Sequence, residues 1–336
     1  MLGRLLLPWL RAAVRPEIRQ VASEHGETVR ELRRNVAELQ TQLAHLRSDH
    51  HAFVVNTWTE QRSRWLPGLD DRLQLESLRA HLTEAIQSAP LVLEPTAHLL
   101  IENPFPRDFY ELAAAAIPPG ELFPLQQGVK QEFVIDKHLA EAPELTRRVW
   151  HFIDQEVVPR VLAPALLARL HDAIVEHYAE AGGVEFGRRA AALPHRAYTG
   201  QLHRRRPGYR LEPHFDPKRV VITGLLYFAK PGDTEAYGTQ LFRIDGAYDS
   251  RRLGKFYPER EGLKCEVART IPYRSNTMLV FINSKAAHGA ELPLDAKLRE
   301  RWAYQFYVKP VDGDLVRLLA DAPEDTRARW SELVDD

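Results

Sequence analysis

The chain has 336 residues, of which 44% are hydrophobic and 27% are charged, proportions that are ordinary for a globular protein and exclude wholesale disorder. Its 45 Lys and Arg balance 46 Asp and Glu, so the net charge is −1. This balance argues against a nucleic-acid partner, because a dedicated nucleic-acid binder carries a strong basic excess. The single cysteine, Cys265, excludes an internal disulfide, a Cys-rich zinc site and an iron–sulfur cluster. Any metal must therefore be held by His, Asp or Glu, and a reducing, cytoplasmic compartment is expected.

The N-terminal segment, residues 1–17, is basic and apolar. Pro8 interrupts its leucine run, whereas a secretory signal needs an unbroken apolar stretch of roughly 7–15 residues. We expect this segment to be frayed or packed on protein. The alternative is an interfacial foot that touches a membrane peripherally, with its arginines near the lipid headgroups. No run in the sequence approaches the roughly 20 apolar residues that a membrane span needs.

Residues 18–53 follow a heptad pattern that is strict from Val29 to Leu46. The narrow apolar stripe favours a self-associating coiled coil and therefore a homo-oligomer formed through residues 18–53. The alternative is a long helix lying on the globular part. One seam consists of Ala22, Val29, Val36, Leu43 and His50, and the other of Ile18, His25, Leu32, Leu39, Leu46 and Phe53.

After the heptads, helices come first and strands follow. The predicted helices begin at Asp70 or Asp71 and end near Pro90, run from Asp108 to Ile117, and span about 143–158 and 164–181. The predicted strands are 98–102, 195–202, 220–228, 239–244, 277–282 and 302–308. Strands at such intervals indicate a sandwich or barrel. The expected organisation is an N-terminal helix (1–56), a helical linker (57–94), a main domain (95–312) and a C-terminal helical tail (313–336).

Three side chains of the β-rich half can form a metal site. His214 and Asp216 are two residues apart, so on a strand they point to the same side, and His288 follows the end of the apolar strand 277–282. Two imidazoles and one carboxylate form the facial triad of non-haem iron(II) sites, which leaves coordination positions open for a bidentate cosubstrate and dioxygen. Arg301 begins the last predicted strand and can pair bidentately with a carboxylate. Arg299 is its rival.

The ordered set of His-x-Asp, a distal His and an Arg on the last core strand resembles the iron(II)/2-oxoglutarate-dependent dioxygenases. The lead-in Arg-Pro-Gly-Tyr at 206–209, the segment 238–241 and Phe281-x-Asn283 are similar to the prolyl-hydroxylase-like branch. The resemblance covers roughly residues 95–310. It does not extend to the heptad region.

The resemblance implies an α+β fold with a double-stranded β-helix (jelly-roll) core and flanking helices. It implies that His214, Asp216 and His288 form the catalytic centre by binding Fe(II), and that Arg301 binds 2-oxoglutarate. Tyr198 is a further candidate for contact with the cosubstrate, with a role in the core or rim as the alternative. The implied reaction consumes O2, is open to stimulation by ascorbate, and hydroxylates a C–H bond with release of succinate and CO2.

The substrate stays open at this stage. A small-molecule, carrier-bound or glycan substrate is the first hypothesis, and a protein substrate with prolyl-type hydroxylation is the second. No sequence feature separates these two hypotheses. A third hypothesis is an oligomerising scaffold with an inactive oxygenase-like domain. The complete ligand set argues against this hypothesis. The triplet Arg204–Arg206 is expected to be a solvated loop, with the binding of an acidic substrate as the alternative.

Overall fold

The structure is a computed structural model that describes residues 3–124, 128–246, 254–328 and 330, with side chains from residue 25 onward except at 27 and 199. The chain divides into two compact units, Met1–Trp58 and Thr59–Asp336. No helix in the described part of the chain is long and apolar enough to span a membrane. The side chains of the N-terminal segment 1–17, including those of the predicted interfacial foot, lie outside the described residues.

The first unit consists of most of one long helix, α1 (Gly3–Arg62), which contains the whole heptad region. Its apolar side chains between Val29 and Phe53 are 47–69% exposed. These exposed side chains are Val29, Leu32, Val36, Leu39, Leu43, Leu46 and Phe53.

The second unit carries the remaining helices. They are α2 (Leu69–Arg72), α3 (Leu75–Ser88), α4 (Arg107–Ala115), α5 (Ile135–His138), α6 (Glu144–Phe152), a π-helix (Ile153–Leu162), α7 (Ala163–Arg169), α8 (His171–Ala191), α9 (Asp312–Ala320) and α10 (Glu324–Ala328). Short 3-10 helices lie at Ser63–Trp65, Gly120–Leu122, Leu139–Glu141, Glu235–Tyr237 and Pro258–Glu261.

Three helix predictions were wrong in their boundaries. The helix expected from Asp70 to Pro90 is two helices, because Leu73 leaves the helical region at φ −94 and ψ 51. The helix expected to end near residue 158 continues as a π-helix that accommodates Pro159, since the wider turn relieves the clash that proline causes in an α-helix. The helix expected to stop before Gly183 kinks there, at φ 80, and continues to Ala191.

Eleven strands are assigned in the described residues, and they form two antiparallel sheets. The larger sheet has the order β1-β2-β9-β6-β11-β4-β3 and the smaller has the order β5-β10-β7-β8. The strands are β1 (Leu91–Val92), β2 (His98–Glu102), β3 (Lys130–Val134), β4 (His195–Arg205), β5 (Tyr209–His214), β6 (Ile222–Tyr227), β7 (Gln240–Asp245), β8 (Lys264–Thr270), β9 (Thr277–Ile282), β10 (Ala287–Leu292) and β11 (Arg301–Pro310).

The two sheets pack face to face through one apolar cluster. It joins Leu225 and Phe281 of the larger sheet to Leu241 and Leu292 of the smaller sheet. This is the double-sheet arrangement of a jelly roll, and the predicted α+β class is confirmed. The helices α3, α6 and α7 pack with the π-helix. Because apolar side chains fill one part of the interior between the sheets, the polar side chains that point inward gather in the part bordered by β4, β5, β10 and β11.

Candidate metal centre

Two neighbouring strands of the smaller sheet place the predicted histidines opposite each other. His214 is the last residue of β5 and His288 the second residue of β10, and they are register partners in the antiparallel pair. Their ring centroids are 4.2 Å apart. His288 follows the predicted strand 277–282 along the chain, and a turn separates that strand from β10, to which His288 belongs.

Asp216 lies two residues beyond the end of β5 and is the third of the predicted metal ligands. Its Oδ1 is 3.8 Å from His214 Nε2 and its Oδ2 is 3.6 Å from His288 Nε2. The three side chains are buried, and one ligand atom of each lies within 4.8 Å of the others. Two imidazole nitrogens and one carboxylate oxygen that converge in this way fit a metal ion that accepts mixed N and O donors, such as iron(II).

Asn283 holds the backbone of the segment that carries Asp216. Its side-chain oxygen accepts a hydrogen bond from the Asp216 amide at 3.0 Å. Its amide nitrogen donates to the carbonyls of Asp216, Pro217 and Val220 at 3.0–3.2 Å. Asp216 is therefore placed by a side chain from the end of β9, although it lies outside any strand itself.

Two hydroxyl groups hold the carboxylate of Asp216. Thr223 of β6 donates to Oδ2 at 2.7 Å, and Tyr307 of β11 donates to Oδ1 at 3.1 Å. Burial, followed by the Asp216 charge, raises the pKa of Tyr307 well above its ordinary value, so the phenol stays protonated and remains a donor. Gln305 in turn donates to the Tyr307 oxygen. Both carboxylate oxygens thus have fixed directions before any metal binds.

The protonation states suit metal binding. Burial lowers the pKa of both His214 and His288 below the ordinary value, which favours neutral imidazoles. His214 Nδ1 lies 3.0 Å from the carbonyl of Glu212, so the proton sits on Nδ1 and the Nε2 lone pair faces the site. Burial by itself raises the pKa of Asp216, but the imidazoles, the Lys255 ammonium and the Thr223 hydroxyl together lower it below its ordinary value.

Lys255 is a cation that the sequence analysis missed. Its Nζ lies 3.4 Å from His214 Nε2 and 3.8 Å from Asp216 Oδ1. The signal for it was absent from the sequence, because Lys255 lies 41 positions after His214 and is not on one of the strands of the core. The pairing of Phe215 with Phe256 and the stacking of Tyr257 on His214 bring this segment to the site.

Arg301 is a buried guanidinium with an incomplete set of partners. It is 5% exposed, its Nη2 donates to Thr239 Oγ1 at 3.1 Å, and it lies over the rings of Tyr227 and Tyr273 at 5.2 and 5.7 Å. Its Nε has no hydrogen-bond partner, and no ion pair to it occurs in the described part of the chain. Burying an unpaired charge costs several kcal/mol, so this position is suited to an anionic ligand.

One cavity is lined by His214, His288 and Arg301. The competing candidate Arg299 is exposed, and Tyr198 does not line this cavity, since its ring packs under the Lys309 ammonium at 4.4 Å.

Arg205 does line this cavity, with 2% exposure. The expectation that residues 204–206 form a solvated loop was wrong for Arg204 and Arg205, which both lie on β4. The remaining lining residues are Lys130, Glu132, Gln201, His203, Tyr209, Leu211, Leu225, Thr239, Lys255, Gly289, Ala290 and Gln305.

Comparison with known proteins gives similarities in structure only, since no family model and no curated protein matches the chain. A prolyl-4-hydroxylase from Pseudomonas putida is 15% identical, over 69% of this chain and 99% of that one, with a TM-score of 0.36. HygX from Streptomyces hygroscopicus, solved with nickel, 2-oxoglutarate and hygromycin B, is 16% identical over 64% and 83%, with a TM-score of 0.35. SnoK, a non-heme α-ketoglutarate-dependent carbocyclase from nogalamycin biosynthesis, is 12% identical over 72% and 92%, with a TM-score of 0.38.

The hydroxyl of Tyr307 is expected to tune metal affinity. Tyr307→Phe removes one donor to Asp216 and keeps the ring, so we expect metal affinity to fall by about 10–100-fold, as is usual for partners of metal ligands. Calorimetric titration with Fe(II) or Mn(II) measures this change. Tyr257→Phe is the matched control, because that ring stacks on His214 at 5.5 Å without a hydrogen bond to Asp216. Equal affinity in wild type and Tyr307→Phe would show that the hydroxyl does not position the carboxylate.

Proposed function

We propose that the chain is an Fe(II)- and 2-oxoglutarate-dependent dioxygenase that hydroxylates a C–H bond. The observation that carries this proposal is the presence, in one cavity, of a His-Asp-His ligand set and a buried guanidinium without a carboxylate partner in the described residues. A metal-chelating dianion such as 2-oxoglutarate can satisfy both. When bound, iron and 2-oxoglutarate supply the oxidation by dioxygen, coupled to release of succinate and CO2.

In this mechanism the side chains of the site bind the metal, orient the cosubstrate and shield both from bulk water. His214, Asp216 and His288 would hold the metal, which would leave coordination positions for the cosubstrate and dioxygen. Arg301 binds the far carboxylate of the cosubstrate, which fixes the direction from which the keto acid approaches. The neutral imidazoles and the ionised Asp216 require no deprotonation on metal binding. Burial of all three excludes bulk water from the reacting positions.

The complete ligand set supports an enzyme over the alternative of an inactive scaffold. For the substrate, the first hypothesis is a small-molecule, carrier-bound or glycan acceptor, and the runner-up is a protein side chain of prolyl type. Iron, 2-oxoglutarate and O2 are the cofactors of the proposal, and ascorbate is a candidate stimulant. The single cysteine supports a reducing, cytoplasmic location.

Loss of one ligand should abolish turnover. For His214→Ala we expect succinate formation, under Fe(II), 2-oxoglutarate and O2, to fall to the level of protein-free solution, because two remaining ligands cannot hold the metal in this geometry. The readout is chromatographic quantification of succinate against time. Undiminished succinate formation in the variant would exclude this metal site from the reaction.

The two candidate anchors for 2-oxoglutarate can be separated by a matched pair of variants. Arg301→Gln removes the buried charge, and Arg299→Gln removes an exposed charge two residues away. Because a charge-assisted pair in a buried site contributes about 1.5–3 kcal/mol, we expect 2-oxoglutarate affinity to fall by roughly tenfold to a hundredfold in the first variant only. Calorimetry on the metal-loaded protein without O2 measures this. A larger loss in Arg299→Gln would reverse the assignment.

We further propose that α1 forms a two-stranded parallel coiled coil with a second copy of this chain. Its seven apolar side chains between Val29 and Phe53 are about half exposed or more, and they follow the 3-4 spacing of a heptad seam. Valine stands at two positions of one seam, whereas leucine stands at positions 32, 39 and 46 of the other. β-Branched residues at the a position with leucine at the d position favour two parallel strands.

The charges that flank the seam support the same orientation. Arg33 and Arg47 occupy e positions, while the g positions that they meet in a parallel pair carry the uncharged Thr28 and Gln42. In an antiparallel pair, e positions face e positions, so the arginines of the two copies would meet and repel. The parallel arrangement therefore avoids a like-charge contact that the antiparallel one creates.

Replacing one seam residue should dissociate the dimer. We expect the full-length protein to sediment as a dimer and Leu39→Asp to sediment as a monomer, because a carboxylate at a d position would be buried without a partner. Ser48→Asp, on the outer face of the same helix, is the control and should stay dimeric. A monomeric wild-type protein, or a Leu39→Asp variant that remains dimeric, would contradict the proposal.

A further inference from the structure

The cavity around the metal centre has an excess of positive charge. Its lining contains four cationic side chains, Lys130, Arg205, Lys255 and Arg301. Among the described residues, the carboxylates of this group are Glu132, which lines the cavity, and Asp216, the metal ligand. The two carboxylates leave two cations unbalanced in the described part of the site.

Glu132 already forms ion pairs with two of these cations. It accepts from Arg205 at 2.7 Å and lies 3.3 Å from Lys130. Arg205 is fixed further by a hydrogen bond to the Gln131 carbonyl and by the Tyr209 ring at 4.9 Å. Arg205 therefore serves mainly as part of the wall. Glu132 balances only one of Arg205 and Lys130, and Lys255 faces Asp216, so the excess charge is shared among Lys130, Lys255 and Arg301.

The proposed cofactors do not remove this excess. A metal dication and the 2-oxoglutarate dianion cancel each other, and Arg301 is taken by the cosubstrate. Lys255 then loses its nearest described carboxylate, because Asp216 becomes a metal ligand. Its side chain is 38% exposed and long enough to turn toward the cavity. A partly exposed ammonium at the edge of a cationic cavity attracts an anion.

His203 lies in the electrostatic field of the same cationic side chains. It is buried and lines the cavity, and its Nε2 has no hydrogen-bond partner among the described residues. Burial, followed by the charges of Arg205, Arg301, Lys255 and Lys130, lowers the pKa of His203 well below its ordinary value. The imidazole is therefore neutral and can exchange a hydrogen bond with a substrate hydroxyl. Gln201 and Gln305, joined by a 3.0 Å hydrogen bond, add amide groups to the same wall.

We infer that the acceptor substrate is a small polar molecule that carries an oxyanion, a phosphate ester or a carboxylate, and that Lys255 binds this group beside the metal. The inference rests on the proposed function for the reaction but not for the binding of the anion. A peptidyl proline carries no charge, so the charge balance favours a small organic anion over the protein substrate. Lys255 lies within 4 Å of two metal ligands, so an anion that it binds lies close to the metal site.

Anion binding to the protein loaded with Ni(II) and 2-oxoglutarate, in which Asp216 is a metal ligand and Arg301 is occupied, tests the inference without turnover. Inorganic phosphate and malonate are the probes, and calorimetry is the measurement. We expect saturable binding of at least one probe, weakened about tenfold or more by Lys255→Gln because a charge-assisted contact is lost, and retained by Lys255→Arg. Lys297→Gln, an exposed lysine outside the cavity, is the control and should bind like wild type. The preferred probe then distinguishes a phosphate ester from a carboxylate.

Several results would overturn the inference. They are the absence of probe binding, equal binding by wild type and Lys255→Gln, and loss of binding in Arg301→Gln alone, which would assign the anion to the cosubstrate position. Failure of the proposed function looks different, since succinate would not form while probe binding through Lys255 persisted. On the loaded enzyme, matched pairs of polyols and their phosphate esters should show faster succinate release with the charged member.

Discussion

The buried carboxylate of Asp216 is the group on which the site depends. It lies between two imidazoles, receives hydroxyl donors from Thr223 and Tyr307, and faces the Lys255 ammonium. A buried carboxylate is costly unless it is paired and hydrogen-bonded. The surrounding strands supply these partners: β6 and β11 carry the hydroxyls, and β9 leads to the side chain that holds the backbone. The order of strands in the larger sheet is thus what makes an ionised metal ligand possible here.

A second buried charge, Arg301, lies in the same cavity and is not matched by a carboxylate of the described residues. One end of the cavity therefore suits a cation and the other suits an anion. A ligand that chelates a metal and ends in a carboxylate joins these two requirements, which is why the combination is more informative than either residue alone. The same reasoning leads from Lys255 to an anionic acceptor, because a charge that has no lasting partner within the protein indicates the charge of what binds there.

The sequence predicts the apolar strands well and the polar ones poorly. The apolar strand β9 has the predicted boundaries, because a continuous run of buried residues leaves few alternatives. Strands β5 and β10 contain proline, glycine and charged residues, and their pairing depends on partners far along the chain. The three ligand candidates follow from residue type and order. Thr223, Tyr307 and Lys255 do not, since their contacts with Asp216 arise from the packing of separate strands and one connecting segment.

The most direct measurement of the central claim is an anaerobic titration of the protein with Fe(II) and 2-oxoglutarate, followed by visible absorption. If the His-Asp-His set binds iron and the keto acid chelates it, a metal-to-ligand charge-transfer band will appear and saturate at one equivalent of each, and His214→Ala will not develop it. If the wild-type protein binds neither Fe(II) nor 2-oxoglutarate, or if the band is unchanged in His214→Ala, the account of this site is wrong.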